Sequence, residues 1–203
     1  MDILLSAMAI VCLSPLLAGL ALAVKLDSPG PVFFRQKRIG RKKTLFSILK
    51  FRTMRTDTPH DVPTHQMTHP EKWITRTGRF LRKTSLDELP QLFNIFVGQM
   101  SIVGPRPALW NQTDLIAARD KYVGRYGLTP NTVRPGLTGW AQVNGRDELP
   151  IPVKARFDGE YVERFGFWMD MKCVLGTVGS VARHEGVVEG GTGALEREKK
   201  DRA

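Results

Sequence analysis

The chain has 203 residues, with 30 Lys and Arg against 20 Asp and Glu, a formal charge of +10, and 42% hydrophobic residues. That composition excludes a wholly disordered chain, and two cysteines exclude a disulfide scaffold. The length suits one domain, or one domain plus an anchor, and the cysteine usage fits a reducing compartment.

The first predicted element is apolar. Ile3 to Val24 is interrupted among small or polar types only by Ser6, Ser14 and Gly19. At about 1.5 Å per residue it is long enough to cross a bilayer core of about 30 Å. A cleavable signal peptide is disfavoured, because the run is too long and begins at Asp2 with no Lys or Arg before it. Two readings stand: a single spanning helix, or a re-entrant helix that enters and leaves the same leaflet. Pro15 cannot donate to the carbonyl of Val11 and its ring crowds that carbonyl, so a break is expected at Ser14-Pro15. Membrane helices also tolerate such a proline.

The charge follows at once. Residues 25–55 hold ten bases against Asp27 alone, nearly the whole excess, whereas Arg183 to Ala203 balances five bases with five acids. An evenly basic nucleic-acid binder would not look like this, and beyond the paired Phe33 and Phe34 the basic stretch interleaves only Phe46 and Phe51 as stacking aromatics. Its expected contact is an anionic membrane face.

Val32-Phe33-Phe34 and Thr44 to Leu49 read as two short strands of a hairpin around Gly40-Arg41-Lys42-Lys43. His60, His65 and His69 suggest a metal site, but Pro59, Pro63 and Pro70 prevent a stable helix from aligning them, and a surface loop is expected. Trp73 to Lys83 reads as a helix with Arg76, Arg79 and Arg82 along one side, and Pro90 to Val97 as a short apolar helix closed by Gly98. A longer helix is expected over Leu109 to Tyr126. The stretch from Pro130 to Gly145 is too rich in breakers for regular structure. Phe157 to Phe165 and Trp168 to Arg183 read as closing helices. The expected fold is α+β and mainly helical: an anchor helix over 1–25, a catalytic domain over 26–184 and a polar, disordered tail over 185–203.

Chemistry concentrates in Thr84-Ser85-Leu86-Asp87-Glu88-Leu89-Pro90. Ser85 and Glu88 have the spacing of a capping box, which by itself would be purely structural. Asp87 and Glu88 would then stand at the positive end of a helix beside Arg82 and Lys83, which favours the ionised form of both. Adjacent helical residues point about 100° apart, so the two would not share a proton as a glycosidase pair does. Two ionised carboxylates facing different ways suit a nucleophile and a divalent-metal ligand at a phosphate. Gly104-Pro105-Arg106-Pro107 and Arg134-Pro135-Gly136 each hold one arginine in a stiff backbone, either as a rigid turn or as an anion clamp. Gly136, Gly139 and Gly145 would permit close backbone approach to a ligand.

The run Arg79 to Asn94, with Met100 to Pro107 and Val133 to Arg146, resembles the bacterial sugar transferase family of monotopic phosphoglycosyl transferases. Phe34 to Gly40, Lys50 to Met54 and the Ser14-Pro15 pair match as well, in the same order over about residues 2–184. The resemblance implies transfer of sugar-1-phosphate from a nucleotide diphosphate sugar, such as a UDP-sugar, to polyprenyl (undecaprenyl) phosphate, with release of a nucleoside monophosphate. That is the first membrane step of glycoconjugate assembly. It implies that Asp87 attacks the sugar-linked phosphorus to give a covalent phosphosugar, and that Glu88 serves Mg2+. By motif, Lys50, Arg82, Arg106, Arg134, Arg146 and Asp170 are candidates for the surround of the site. Asp170 would orient an arginine or a metal-bound water, unless it is an ordinary helix-surface acid. The resemblance favours the re-entrant anchor, places the catalytic domain on the cytoplasmic face of the inner membrane with anionic lipids as partners, and leaves room for a homodimer. The competing reading is a basic, membrane-tethered adaptor without catalysis, which would explain the charge cluster but not the acids and stiff arginines beside it.

Overall fold

The computed structural model describes residues 1–58, 70–145 and 149–182. The histidine-bearing loop, Arg146 and the segment from Arg183 onward lie outside the described residues. Among those described, the molecule is mainly helical with two small sheets.

Helix α1 spans Asp2–Asp27 without interruption, and Pro15 lies inside it. The break expected at Ser14-Pro15 is absorbed locally. Proline removes the donor that would meet the carbonyl of Val11, and the Ser14 hydroxyl donates to that same carbonyl at 2.8 Å. One face of α1 packs inward. Ala9, Ile10 and Leu13 lie against Phe46, Ile48, Leu92, Ile95 and Met100, and Leu17, Leu20, Ala21 and Val24 group with Phe51 and Leu81. Each fully buried side chain of this kind contributes about 1.5–3 kcal/mol. The other face leaves Leu4, Met8, Val11, Leu22 and Leu26 exposed.

Strands β1 (Phe33–Ile39) and β2 (Leu45–Phe51) form an antiparallel hairpin in register from Phe33–Phe51 to Ile39–Leu45. Both are longer than the apolar runs alone suggest, because ladder pairing extends through Arg35, Lys37 and Arg38. The tip over Arg41–Lys43 turns through left-handed Lys42 and Lys43, and the Lys42 amide docks on the carbonyl of Asn131.

Helix α2 covers Arg76–Thr84 and α3 covers Gln91–Phe96. Thr75 caps α2 by accepting from the Gly78 amide at 3.0 Å, so the helix starts three residues later than its apolar pattern suggests. Gly78 has a steric reason: a Cβ there would come within 2.1 Å of the Thr53 carbonyl oxygen. Strand β3 (Ser101–Val103) pairs in parallel with β4 (Gly136–Thr138). Helices α4 (Thr113–Asp120), α5 (Trp140–Val143), α6 (Ile151–Glu163) and α7 (Phe167–Ala182) complete the described fold.

Two expectations fail here for tertiary reasons. The long helix over Leu109 to Tyr126 shrinks to α4. At its start the Ala108 carbonyl accepts from the Ile39 amide and Leu109 bridges Arg38, tying the chain to the hairpin edge. At its end Gly124 turns back to the Leu128 carbonyl through left-handed Tyr126. The breaker-rich stretch is also regular in part, since β4 and α5 form there by pairing with segments remote in sequence.

Candidate active site

The Asp87-Glu88 pair sits on a single 3-10 turn, Leu86–Glu88, between α2 and α3. Ser85 joins α2 to that turn in a left-handed conformation (φ 58°) and its side chain makes no cap hydrogen bond. The capping box is therefore not formed. The Glu88 carboxylate is engaged elsewhere: Lys50 Nζ lies 2.7 Å and Arg106 Nη2 3.0 Å from the same oxygen, Oε1. All three side chains are largely buried.

Each partner is delivered by a different element. Lys50 comes from β2, whose position relative to α3 is set by Asn94. The Asn94 side chain accepts from the Leu49 amide at 2.9 Å and donates to the Ser47 carbonyl at 2.9 Å, as a neighbouring strand would. Arg82 comes from the last turn of α2, with Nε donating to Thr53 Oγ1 at 2.9 Å. Arg106 follows β3. Asn94 and Thr53 were not among the residues expected to matter. An Asn in a short apolar helix is the available signal for the first, and the second is marked only by its place in the Lys50 to Met54 run.

Burial, reinforced by the charge of Glu88, pushes the Asp87 carboxyl above its ordinary range, against the opposing pull of Lys50, Arg82 and Arg106. Burial acts on Glu88 in the same sense, but Arg106 and Lys50 outweigh it and hold Glu88 well below the usual glutamate range. The expectation that the ionised form of both acids is favoured holds for Glu88 and is corrected for Asp87: the cations converge on Glu88, and Asp87 is the more basic of the two. A basic, desolvated carboxylate beside three cations is suited to attack an electrophilic phosphorus.

Arg134 is exposed and forms no ion pair among the described residues. Its backbone crosses the Arg106 loop, where a Cβ on Gly104 would come within 2.5 Å of the Arg134 carbonyl oxygen. Cβ atoms on Gly136 or Gly139 would clash with the Gly104 backbone, and one on Gly145 with Leu149. These glycines permit close contact of chain with chain. Asp170 joins no arginine among the described residues. It accepts from the Tyr161 hydroxyl at 2.9 Å, near Asp2 at the start of α1, and burial followed by the charge of Asp2 raises its carboxyl. Arg146 lies outside the described residues.

No cluster of three or more His, Cys, Asp or Glu side chains occurs among the described residues. A metal here would rest on one or two carboxylates plus ligand oxygens, the donor set Mg2+ accepts because it keeps several waters. Glu88 Oε2 makes no hydrogen bond among the described residues, so the site fits that requirement.

A family model described as bacterial sugar transferase matches residues 1–184. A UDP-glucose:undecaprenyl-phosphate glucose-1-phosphate transferase of Xanthomonas campestris pv. campestris is 43% identical over 180 residues, 86% of this chain and 36% of that protein. A UDP-N-acetylgalactosamine-undecaprenyl-phosphate N-acetylgalactosaminephosphotransferase of Aeromonas hydrophila is 37% identical over 185 residues, 89% of this chain and 42% of its own length. The exopolysaccharide production protein PSS of Rhizobium leguminosarum bv. phaseoli is 41% identical over 182 residues, 87% of this chain and 90% of its own length. The chain thus spans less than half the length of the first two relatives.

Proposed function

Because the chain belongs to the bacterial sugar transferase family, we propose that it transfers a sugar-1-phosphate from a UDP-sugar to undecaprenyl phosphate. The observation that carries this reading is the division of labour within one turn. Lys50 and Arg106 converge on Glu88, while the more basic Asp87 stands beside them in the same positive field.

In the first step a carboxylate oxygen of Asp87 attacks the sugar-bound phosphorus. The bond from that phosphorus to the bridging oxygen breaks, and UMP leaves with the electron pair. In the second step a phosphate oxygen of undecaprenyl phosphate attacks the aspartyl-phosphosugar, releasing Asp87 and forming the lipid diphosphate sugar. Neither step needs a proton donor. Arg82, Lys50 and Arg106 offset the charge that repels an anionic nucleophile from a diphosphate, and the exposed Arg134 is available to a phosphate from the neighbouring loop. Mg2+ held by Glu88 and substrate oxygens would supply further charge neutralisation.

The membrane topology follows the re-entrant or interfacial reading. A 26-residue helix is about 39 Å long. A transverse span would carry Asp2 away from the body, yet Asp2 accepts from the Ser101 hydroxyl at 2.8 Å and Asp27 accepts from the Thr77 amide at 2.8 Å. Contact of both ends of an unbroken helix with one body supports the interfacial form, lying along one membrane face with its exposed apolar side in lipid and the basic hairpin near anionic headgroups.

Incubating the detergent-solubilised protein with UDP-glucose or UDP-N-acetylgalactosamine and Mg2+, without lipid acceptor, tests the reading. The expected result is one equivalent of UMP with a phosphosugar mass added to the intact chain, and neither in Asp87→Asn. UMP release that requires the lipid, or that persists in Asp87→Asn, would overturn it.

A further inference from the structure

We infer that Arg119, clamped by Asp158, is a positioning residue for Arg106. The role rests on the site reading above but concerns a different part of the fold. Arg119 on α4 and Asp158 on α6 are 4% and 1% exposed, and Nε and Nη2 of Arg119 lie 2.8 and 2.6 Å from Asp158 Oδ2. The same Nη2 donates to the backbone carbonyl of Arg106 at 2.9 Å.

The second hydrogen bond is what gives the pair its purpose. A buried ion pair is weak support for stability, because an apolar pair of similar volume is about as good. An apolar pair could not donate to Arg106. Pro105 and Pro107 flank Arg106 and bring no amide donors of their own, and the carbonyl is met by a side chain from another element.

The geometry also specifies what the bond controls. The direction of the Arg106 Cα–Cβ bond is set by the two peptide planes on either side. The plane before it is pinned where the Pro105 carbonyl accepts from the Gly136 amide at 3.0 Å, and the plane after it where the Arg106 carbonyl accepts from Arg119. One residue further on, the Pro107 carbonyl accepts from Arg38 Nη1 at 3.0 Å, and the Ala108 carbonyl from the Ile39 amide at 2.9 Å. Four successive carbonyls are thus held from outside the loop. With both planes fixed, the guanidinium of Arg106 reaches Glu88 without much of the entropy loss a free loop would incur. Arg119 itself needs the fork of a guanidinium, since one cation must satisfy a carboxylate and a carbonyl in different directions. Its charge is neutralised by Asp158 in the core, so it acts on the site as a fixed donor.

The test is the paired replacement Arg119→Met with Asp158→Leu, which removes the donor without leaving a buried charge. The full chain in detergent should keep a cooperative melt, while kcat for UMP release falls about 10- to 100-fold, the range of lost supporting contacts. KM for the UDP-sugar should change little. In an Arg106→Ala background the same replacement should cost less than about 2-fold, because the group it positions is gone. Arg119→Lys, which keeps the charge opposite Asp158 but not the fork, should fall between wild type and the paired variant, and it serves if the pair fails to fold. Hydrogen exchange of the Gly104 and Arg106 amides reads the loop without catalysis. It should speed up about 10-fold in the variant while the β1–β2 hairpin is unchanged. Unaltered kcat and exchange would overturn the inference, as would an equal loss with and without Arg106. If the wild type releases no UMP, the functional reading fails and the exchange result still decides this one.

Discussion

Replacing Lys50 by Met tests the core of the site. Glu88 Oε1 is shared by Lys50 and Arg106, with side-chain exposures of 20% for Glu88, 16% for Lys50 and 29% for Arg106. Loss of Lys50 removes one charge-assisted hydrogen bond, about 1.5–3 kcal/mol. Arg106 stays, so the loss falls below the roughly 3–5 kcal/mol of a buried charge left wholly unpaired. About 2 kcal/mol is expected, which for a chain of this size lowers Tm by roughly 4–8 °C. The pH dependence has a definite sign. A glutamate held below its unfolded pKa of about 4.3 contributes stability that is present above that pH and lost as pH falls through the folded value. The gap between wild type and Lys50→Met should therefore be widest near neutrality and narrow below about pH 4. Thermal melts of detergent-solubilised protein across pH measure it, with Glu88→Gln as the second arm. In that background Lys50→Met should cost less than about 1 kcal/mol. Equal losses in both backgrounds, or none at pH 7, would refute the shared-carboxylate geometry.

Arg82 lowers the Asp87 carboxyl against its burial, so Arg82→Gln should raise it further. The burst rate of UMP release, limited by ionised Asp87, should then lose its acid limb at higher pH than in wild type; an unmoved limb would separate Arg82 from Asp87. Val11 is 72% exposed on the outer face of α1, and a charge near the centre of a membrane helix costs about 3 kcal/mol. Val11→Glu should weaken co-flotation with vesicles by roughly 100-fold while the body melts normally. Undiminished flotation would show that this face does not meet lipid.

Much of the site was legible because its signals are local. The apolar run, its basic sequel and the acidic turn before Pro90 are properties of adjacent residues, and the structure keeps them as α1, the hairpin and the Leu86–Glu88 turn. The Ser14-Pro15 pair also works locally, although as a satisfied carbonyl within a continuous helix. Readings that required partners were less secure. Ser85 and Glu88 have the spacing of a capping box, yet tertiary cations compete for Glu88 and win because a charge-assisted bond in a buried site outweighs a cap. The glycines of the 136–145 stretch face neighbouring chain, a difference that no local pattern encodes.

By itself the sequence determined the long apolar helix, the sign and position of the charge, and the identity of the acidic pair, since helix length, hydropathy and motif spacing depend on neighbours along the chain. Only the tertiary structure decided which cations serve Glu88, why Asp87 is the more basic partner, and that Asp170 stands with Tyr161 and Asp2. Lys50 and Arg106 lie 38 and 18 residues from Glu88. Their convergence, and the desolvation that separates the two carboxylates in pKa, exists only once β2, the acidic turn and the Arg106 loop are packed together.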